Sequence, residues 1–223
     1  MPDDSPVVLC QARAMLTQVK ICGLTRRTDV HAAVNAGADY LGFIVGAQSV
    51  RQIDVVDAGS LIDGVGVNTV AVCVDPDDTL VAAIAAAGFS HIQLHGNETL
   101  QRAATIAQSG LAVIKAVKVS TRGDVKVASE FSGAADLVLY DAKPPQGSVQ
   151  QGGHGQSFDW SILSGAPTPK IWGLAGGLTP DNVARAVAVT KTPIVDVSSG
   201  VERAPGLKDE TLIKLFMRHA KGL

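Results

Sequence analysis

Two side chains in this sequence are of types that exchange protons with a substrate, and each comes at the end of a short apolar run. Cys22 ends the run VKIC, directly before Gly23, and Asp141 follows the run LVLY. A thiolate can remove a proton while a carboxylic acid donates one, provided that both groups titrate near neutrality. The pKa of the thiol would therefore have to fall from about 8.5, and that of the carboxyl group would have to rise from about 3.9.

Two further polar side chains follow apolar runs. Arg51 lies in the loop after YLGFIV, and its planar fork suits a carboxylate on a ligand. His95 follows IQL and could hydrogen-bond an inward carboxylate. Each of these four residues also has a structural interpretation, because free cysteines are mostly small buried apolar residues and isolated polar residues mostly serve loops or face solvent. Taken alone, VKICGLT favours packing for Cys22, and both interpretations stay open at this point.

Three glycine-rich loops, GGHG, AGGL and SSGVE, follow three successive apolar runs in the second half of the chain. Glycine lets the backbone approach a ligand closely and point N–H groups at an anion. Three such loops side by side favour a phosphate-binding site over a set of tight turns. The residues predicted to form it are Gly153, His154, Gly155, Gly176, Gly177, Ser199 and Gly200.

A regular alternation of elements would position these residues. Strands are predicted at 19–22, 40–45, 69–74, 91–94, 112–119, 137–140, 171–175 and 194–197. Helical patterns lie at 28–36, 55–62, 77–87, 98–109, 124–131, 160–163, 179–189 and 209–219. Asp77 and Asp209 supply helix N-caps, and Thr179 before Pro180 predicts a helix that begins at the proline.

Strands that alternate with helices form right-handed βαβ units and hence a parallel sheet. An open doubly wound sheet would normally carry Gly-x-Gly-x-x-Gly after its first strand, and CGLTRRTD is not of that form. The sequence therefore predicts an α/β fold, a single (β/α)8 TIM barrel over residues 18–223, after an N-terminal extension over 1–17. Function gathers at the carboxyl ends of barrel strands, so Cys22 and Asp141 are predicted to face one another across the mouth.

The composition excludes several classes of function. Apolar residues make up 46% of the 223 residues, mean hydropathy is +0.22 and net charge is -2, so the chain can bury a large core but carries no basic block for a nucleic acid. Cys10, Cys22 and Cys73 lack metal-ligand spacing, and neither a disulfide framework nor a metal site is predicted. The apolar runs are too short for a bilayer and no secretory signal is visible, so a cytoplasmic protein without a membrane partner is expected.

Eight ordered motifs resemble those of one family. They are KICGLT, GADYLGFIV with SVR, IQLHG, VIKAV, LYDA, GGHGQSFDW, LAGGLTPDNV and VDVSSGVERAPGLKD. From Val19 to its C-terminus the chain resembles phosphoribosylanthranilate isomerase, a (β/α)8-barrel enzyme of tryptophan biosynthesis. The resemblance implies the Amadori rearrangement of N-(5-phosphoribosyl)anthranilate to 1-(2-carboxyphenylamino)-1-deoxyribulose 5-phosphate, with no cofactor. It also implies a small phosphorylated substrate as the partner and leaves monomer and homodimer open.

The resemblance assigns roles residue by residue. It implies that Asp141 is the general acid that opens the ribose ring and that Cys22 is the general base that removes the C2 proton. Arg51 matches the arginine that holds the anthranilate carboxylate, and the three glycine loops match those that bind the phosphate. Asp196 matches an acidic residue near the substrate, and His95, the histidine of the QLHG motif, is grouped with the substrate-binding residues. The resemblance thus favours proton transfer over packing for Cys22.

The chain departs from the family pattern before FDW, where His154 replaces a hydroxyl residue and Gln156 replaces a lysine. A positive charge near the phosphate is lost unless His154 is protonated. Val45 occupies a position where the family tends to have phenylalanine or another large residue, and the proline that is common in the family near Arg51 is absent here.

Two other functions stay open. An isomerase of another phosphorylated sugar, as in the histidine pathway, usually employs two aspartates, and Cys22 argues against it. A barrel that binds a phosphorylated metabolite without catalysis is supported only by the altered GGHGQS loop.

Overall fold

The computed structural model describes residues 17–142, 160–163, 169 and 171–223. All eight predicted strands form, and each begins and ends within two residues of its predicted bounds. They are β1 (Gln18–Cys22), β2 (Tyr40–Gly46), β3 (Asn68–Cys73), β4 (His91–Leu94), β5 (Ala112–Val119), β6 (Leu137–Ala142), β7 (Trp172–Ala175) and β8 (Ile194–Val197).

The strands are parallel and hydrogen-bonded in chain order, and β8 pairs with β1 to close the sheet. This confirms the predicted (β/α)8 barrel and excludes the open doubly wound sheet. Residues 1–16 of the predicted extension lie outside the described residues, and Thr17 directly precedes β1.

The helices between the strands largely follow the predicted pattern. They are α1 (Arg27–Asn35), α2 (Val55–Ile62), α3 (Asp78–Ala86), α4 (Leu100–Ala107), α5 (Arg122–Glu130), α6 (Val183–Thr190) and α7 (Glu210–Lys221), with a 3-10 turn at Trp160–Leu163. Asp77 and Asp209 accept hydrogen bonds from the first turns of α3 and α7, as predicted for N-caps. The prediction for Pro180 was wrong: α6 begins only at Val183, because residues 180–182 form a turn in which Thr179 N–H donates to Asn182. Within the described ranges, no helix combines the length and apolarity needed to cross a membrane.

An antiparallel hairpin between β8 and α7 was not predicted. Its strands are β9 (Glu202–Ala204) and β10 (Leu207–Lys208), joined by a turn at Pro205-Gly206. Both strands are short and contain charged residues. They therefore lack the alternation of apolar and polar residues from which strands are predicted. The hairpin brings Glu202 and Lys208 beside the carboxyl end of the barrel, as described below.

The core has two layers, one on each face of the sheet. Side chains alternate between the faces along each strand, so on β1 Val19 and Ile21 pack under the helices while Lys20 and Cys22 point into the barrel. The barrel interior is filled by Cys22, Val70, Val72, Ile114, Ala116, Leu137, Leu139, Ala175 and Ile194, with Tyr40 and Ile44 packed against them. This register fixes which polar residues reach the mouth.

A buried ion pair holds the end of β4 in place. On β5, Lys115 Nζ lies 2.6 Å from Glu98 Oε2 and 2.8 Å from the Gly96 carbonyl oxygen, and both side chains are almost fully buried. Glu98 also accepts hydrogen bonds from the backbone N–H groups of Asp75 and Gly96. Burial raises the pKa of Glu98, but the Lys115 ammonium and these donors outweigh it and hold that pKa below its ordinary value.

Replacing Lys115 with methionine is therefore expected to destabilise the fold by about 3–5 kcal/mol at neutral pH, because it leaves the Glu98 carboxylate buried and unpaired. The folded-state pKa of Glu98 lies below the unfolded value, so its stabilising contribution is present above the unfolded pKa and is lost as the pH falls through the folded one. Urea unfolding at neutral and acidic pH measures both effects. The exposed Lys214–Glu210 pair on α7 is the control, since Lys214→Met should cost less than about 1 kcal/mol.

Candidate active site

Cys22 is the last residue of β1 and the uppermost interior residue of that strand. The residue is 7% exposed and belongs to the barrel core at the carboxyl end of its strand. The packing interpretation is therefore observed, because the side chain packs against apolar neighbours, and proton transfer by Cys22 stays a prediction. Gly23, which follows it, has φ 75°, and a Cβ there would lie 2.6 Å from Arg51 Cδ. Glycine thus suits the left-handed turn after β1 and leaves room for the Arg51 side chain.

The protonation of Cys22 differs from the expectation of a lowered pKa. Burial raises the pKa of the Cys22 thiol, and the nearby Asp196 carboxylate adds to this effect. The Lys20 ammonium opposes both, by its charge and by a hydrogen bond, without reversing the shift. At neutral pH the unliganded protein therefore holds Cys22 mainly as the thiol. The sequence could not reveal this, because the desolvation comes from the closed barrel.

Asp141 lies at the carboxyl end of β6 on the interior-facing side, as its spacing from the core residues Leu137 and Leu139 requires. Its Oδ2 is 3.1 Å from Nε2 of His95, which stands at the end of β4. Nδ1 of His95 is in turn 3.1 Å from Nε2 of Gln93, a fully buried residue. The predicted bond between His95 and an inward carboxylate is therefore present, and the carboxylate is that of Asp141.

The strands that carry Cys22 and Asp141 are three steps apart around the barrel, through β7 and β8. Both residues lie at the carboxyl end of their strands and face the interior. A ligand that enters the mouth would therefore meet the thiol and the carboxyl group from different sides. This arrangement suits the transfer of one proton from, and one proton to, separate atoms of the same molecule.

Arg51 is held by a partner that the sequence reasoning missed. Its Nε and Nη2 atoms each donate to one carboxylate oxygen of Glu202, at 2.7 Å, and Glu202 also accepts from Nζ of Lys208 at 2.7 Å. The hydrogen bond to Glu202 raises the pKa of Arg51, so the guanidinium stays charged. Glu202 occupies only one edge of the fork. A guanidinium has five N–H donors, and the described residues leave those on Nη1 and the outer side of Nη2 for a ligand.

The glycine loops after β7 and β8 touch one another. A Cβ on Gly200 would overlap the carbonyl oxygen of Leu178, so this close approach is possible only for glycine. Gly176 and Gly177 have φ 88° and 63°, the left-handed region that favours glycine. Ser199 and Gly200 begin a short 3-10 turn beside them. The other predicted phosphate residues, Gly153, His154 and Gly155, lie outside the described residues, as does Gln156.

Asp196 lies in the barrel interior, where its carboxylate bonds to another side chain of the protein. Its Oδ1 atom accepts a hydrogen bond from Nζ of Lys20 at 3.1 Å, and both side chains are largely buried.

Four residues of this region were not predicted from the sequence: Lys20, Gln93, Glu202 and Lys208. All four lie in the motifs given above. A charged or amide residue inside an apolar strand, such as Lys20 in VKIC, was a signal for Lys20 and Gln93, whereas Glu202 and Lys208 carried no such signal. Among the described residues, no cluster of His, Cys, Asp and Glu is arranged to hold a metal ion.

The sequence matches a known family along almost its whole length. The family described as N-(5'phosphoribosyl)anthranilate (PRA) isomerase matches residues 19–219. The chain is 50% identical over 208 residues to the N-(5'-phosphoribosyl)anthranilate isomerase of Hyphomonas neptunium, and the match covers 92% of this chain and 98% of that relative.

Solved structures give the same result. The crystal structure of phosphoribosyl anthranilate isomerase from Thermotoga maritima has a TM-score of 0.85 at 37% identity and covers 93% of this chain and 100% of that one. A structure of the isomerase in complex with reduced 1-(o-carboxyphenylamino)-1-deoxyribulose 5-phosphate has a TM-score of 0.80 at 34% identity, with the same coverage. The barrel, its rim of Cys22, Asp141 and Arg51, and these matches agree, and the chain belongs to the N-(5'-phosphoribosyl)anthranilate isomerase family.

Proposed function

We propose that this chain converts N-(5-phosphoribosyl)anthranilate into 1-(2-carboxyphenylamino)-1-deoxyribulose 5-phosphate, a step of tryptophan biosynthesis, with side chains alone. The observation that supports this most strongly is the position of Cys22 and Asp141 at the same end of a family barrel, on strands three steps apart. The reaction needs an acid and a base at separate carbon and oxygen atoms of one pentose, and these two residues provide them.

Asp141 acts first, as the general acid. Its carboxyl group donates a proton to the ribose ring oxygen, the bond from that oxygen to C1 breaks, and the nitrogen lone pair forms the Schiff base. His95 holds the carboxyl group in position through the 3.1 Å bond to Oδ2. If the Gln93 amide oxygen faces Nδ1–H, Nε2 is free to accept the acidic proton of Asp141. As placed, Gln93 Nε2 faces Nδ1 and Oε1 has no partner among the described residues, and exchanging the two amide atoms gives this bond.

Cys22 acts second, as the general base. Its thiolate removes the C2 proton of the Schiff base, and the electron pair of the C–H bond neutralises the iminium to give an enolamine. The enolamine then takes up a proton at C1 and releases the proton of its C2 hydroxyl group, which yields the ketone. The proton count is unchanged overall, as an isomerisation requires.

Arg51 binds the anthranilate carboxylate. The fork edge that Glu202 leaves free supplies two parallel N–H donors, the arrangement that matches a carboxylate best. Glu202 and Lys208 keep the guanidinium fixed before the substrate arrives, so little side-chain entropy is lost on binding. The loops with Gly176, Gly177, Ser199 and Gly200, together with Gly153, His154 and Gly155, bind the phosphate. Asp196 serves the same site through Lys20.

We expect Arg51→Lys to raise KM by about ten- to a hundredfold while kcat changes less, because lysine keeps the charge and loses the bidentate bond. Steady-state kinetics with the fluorescent anthranilate substrate separate the two constants. Arg102→Lys is the control, since Arg102, in the first turn of α4, donates to the Asp78 carboxylate and the Pro76 carbonyl oxygen rather than to a residue of the proposed site. A fall in kcat alone would argue against carboxylate binding by Arg51.

The proposed function itself is tested with the purified full chain and N-(5-phosphoribosyl)anthranilate generated in the cuvette. We expect the substrate fluorescence to decay at a rate proportional to enzyme concentration, with the ketose phosphate as the product. Calorimetric binding of the reduced product analogue without any decay would instead support a metabolite-binding barrel without catalysis.

A further inference from the structure

We propose that Lys20 is a positioning residue which, anchored by Asp196, supplies the counter-charge of the Cys22 thiolate, and that Gly42 keeps open the space in which the ammonium and the sulfur meet. The proposal rests on the proposed function insofar as Cys22 is the base. It adds a role for three residues, two of which the sequence reasoning did not select.

The geometry is set by two neighbouring strands. Lys20 and Cys22 are two apart on β1 and therefore share its interior face, and Gly42 of β2 pairs in register with Cys22. A Cβ on Gly42 would lie 2.8 Å from Sγ of Cys22 and 3.0 Å from Nζ of Lys20. Sulfur and nitrogen thus converge on one point and lie no more than about 6 Å apart, the range in which an opposite charge favours the ionised form. Any larger residue at 42 would occupy this space.

The charge on Lys20 is maintained inside the barrel. Its side chain is 3% exposed, and an isolated ammonium at such a site would lose its proton. Burial does lower the pKa of Lys20, but Asp196 at 3.1 Å and the ionised form of Cys22 outweigh it, and the net shift is upward. Lys20 therefore remains protonated over the range in which the enzyme works.

The other charged groups that face Cys22 do not provide this charge equally well. Asp196 of β8 is negative and disfavours the thiolate. Lys208 of β10 and Arg51 of the loop after β2 are positive, but both are already bonded to Glu202. Among the described groups, Lys20 is the cation that most strongly favours the thiolate. Removing it should leave burial and Asp196, both of which favour the neutral thiol, opposed only by the weaker effect of Lys208.

The test is a direct titration of the Cys22 thiolate by its ultraviolet absorbance in the full chain, with Cys22→Ser as the blank. We expect Lys20→Met to move the midpoint upward by at least about one pH unit and to lower kcat/KM at neutral pH about tenfold for each unit. Lys20→Arg, which keeps the charge, should retain a midpoint near that of the unmodified chain. Lys115→Met removes an equally buried ammonium on the outer face of the barrel, and it should leave the midpoint unchanged.

An unchanged midpoint in folded Lys20→Met would overturn the proposal and leave Lys20 as a structural partner of Asp196. If that variant does not fold, Lys20→Gln keeps a donor for Asp196, and Gly42→Ala places a methyl group too close to both the nitrogen and the sulfur. Both variants should also raise the midpoint of the thiolate titration. A midpoint that does not move in these variants would likewise overturn the proposal. Because the titration needs no turnover, it is separate from the base assignment. An active Cys22→Ala variant would refute the base, whatever the effect of Lys20 on the thiol.

Discussion

Replacing Cys22 with alanine is expected to lower kcat by about a hundred- to ten-thousandfold, the usual contribution of a general base. The loss has one cause, because alanine fills part of the same interior position but cannot accept the C2 proton. Binding of the reduced product analogue should change little, since Arg51 and the glycine loops do not depend on the sulfur. Turnover by fluorescence decay and binding by calorimetry measure the two effects.

Cys73→Ala is the matched control for this prediction. Cys73 is buried as well, but it lies in the outer layer, under the helices, and burial raises the pKa of its thiol to about 12. The control should cost stability and leave kcat within about twofold of the unmodified chain.

In the unmodified chain turnover should rise with pH through the neutral range, because the raised pKa of Cys22 makes the thiolate the minor form there. Full activity of Cys22→Ala would remove the base from the mechanism.

Replacing Asp141 with asparagine is expected to have a loss of similar size, about a hundred- to ten-thousandfold in kcat. The amide has the shape of the carboxyl group and can still hydrogen-bond to His95, but it cannot donate a proton to the ring oxygen. Ring opening should then become the slow step, so a substrate deuterated at C2 should show a smaller isotope effect than with the unmodified enzyme. Steady-state kinetics with both substrates measure this.

Asp136→Asn is the control on the same strand. Asp136 directly precedes β6 at the opposite end of the barrel, where its carboxylate accepts a hydrogen bond from the Val113 backbone N–H at 2.7 Å. The control should retain its turnover. This result would show that the loss of activity is specific to the aspartate at the carboxyl end of β6. Loss of activity in both variants would point to a damaged β6 rather than to a missing acid.

The strands could be predicted from the sequence because each is a short apolar run bounded by glycine or polar residues. The closure of the barrel followed from the number of runs and from the alternation with helices. The hairpin of β9 and β10 could not be predicted in this way, because its strands have three and two residues and a charged sequence. The start of α6 was missed because Asn182, and not Thr179, is the residue directly before the helix.

The individual site residues were easier to predict than their partners. Cys22, Arg51 and Asp141 could be selected because each lies at or after the carboxyl end of an apolar run, a local property of the sequence. Their partners are fixed by the closed sheet: Arg51 and Glu202 are 151 residues apart, and Lys20 and Asp196 are 176 apart. The upward shift of the Cys22 pKa has the same origin, since burial by distant strands decides it.

A crystal structure of this chain with the reduced product analogue tests the central claim most directly. We predict that Sγ of Cys22 lies within about 4 Å of C2 of the analogue, close to the spacing of reacting atoms before transfer. The Asp141 carboxyl group should contact the oxygen on C4, with the anthranilate carboxylate on the free edge of Arg51. An analogue bound with C2 turned away from the sulfur, or with Asp141 out of reach of that oxygen, would contradict the assignment of base and acid.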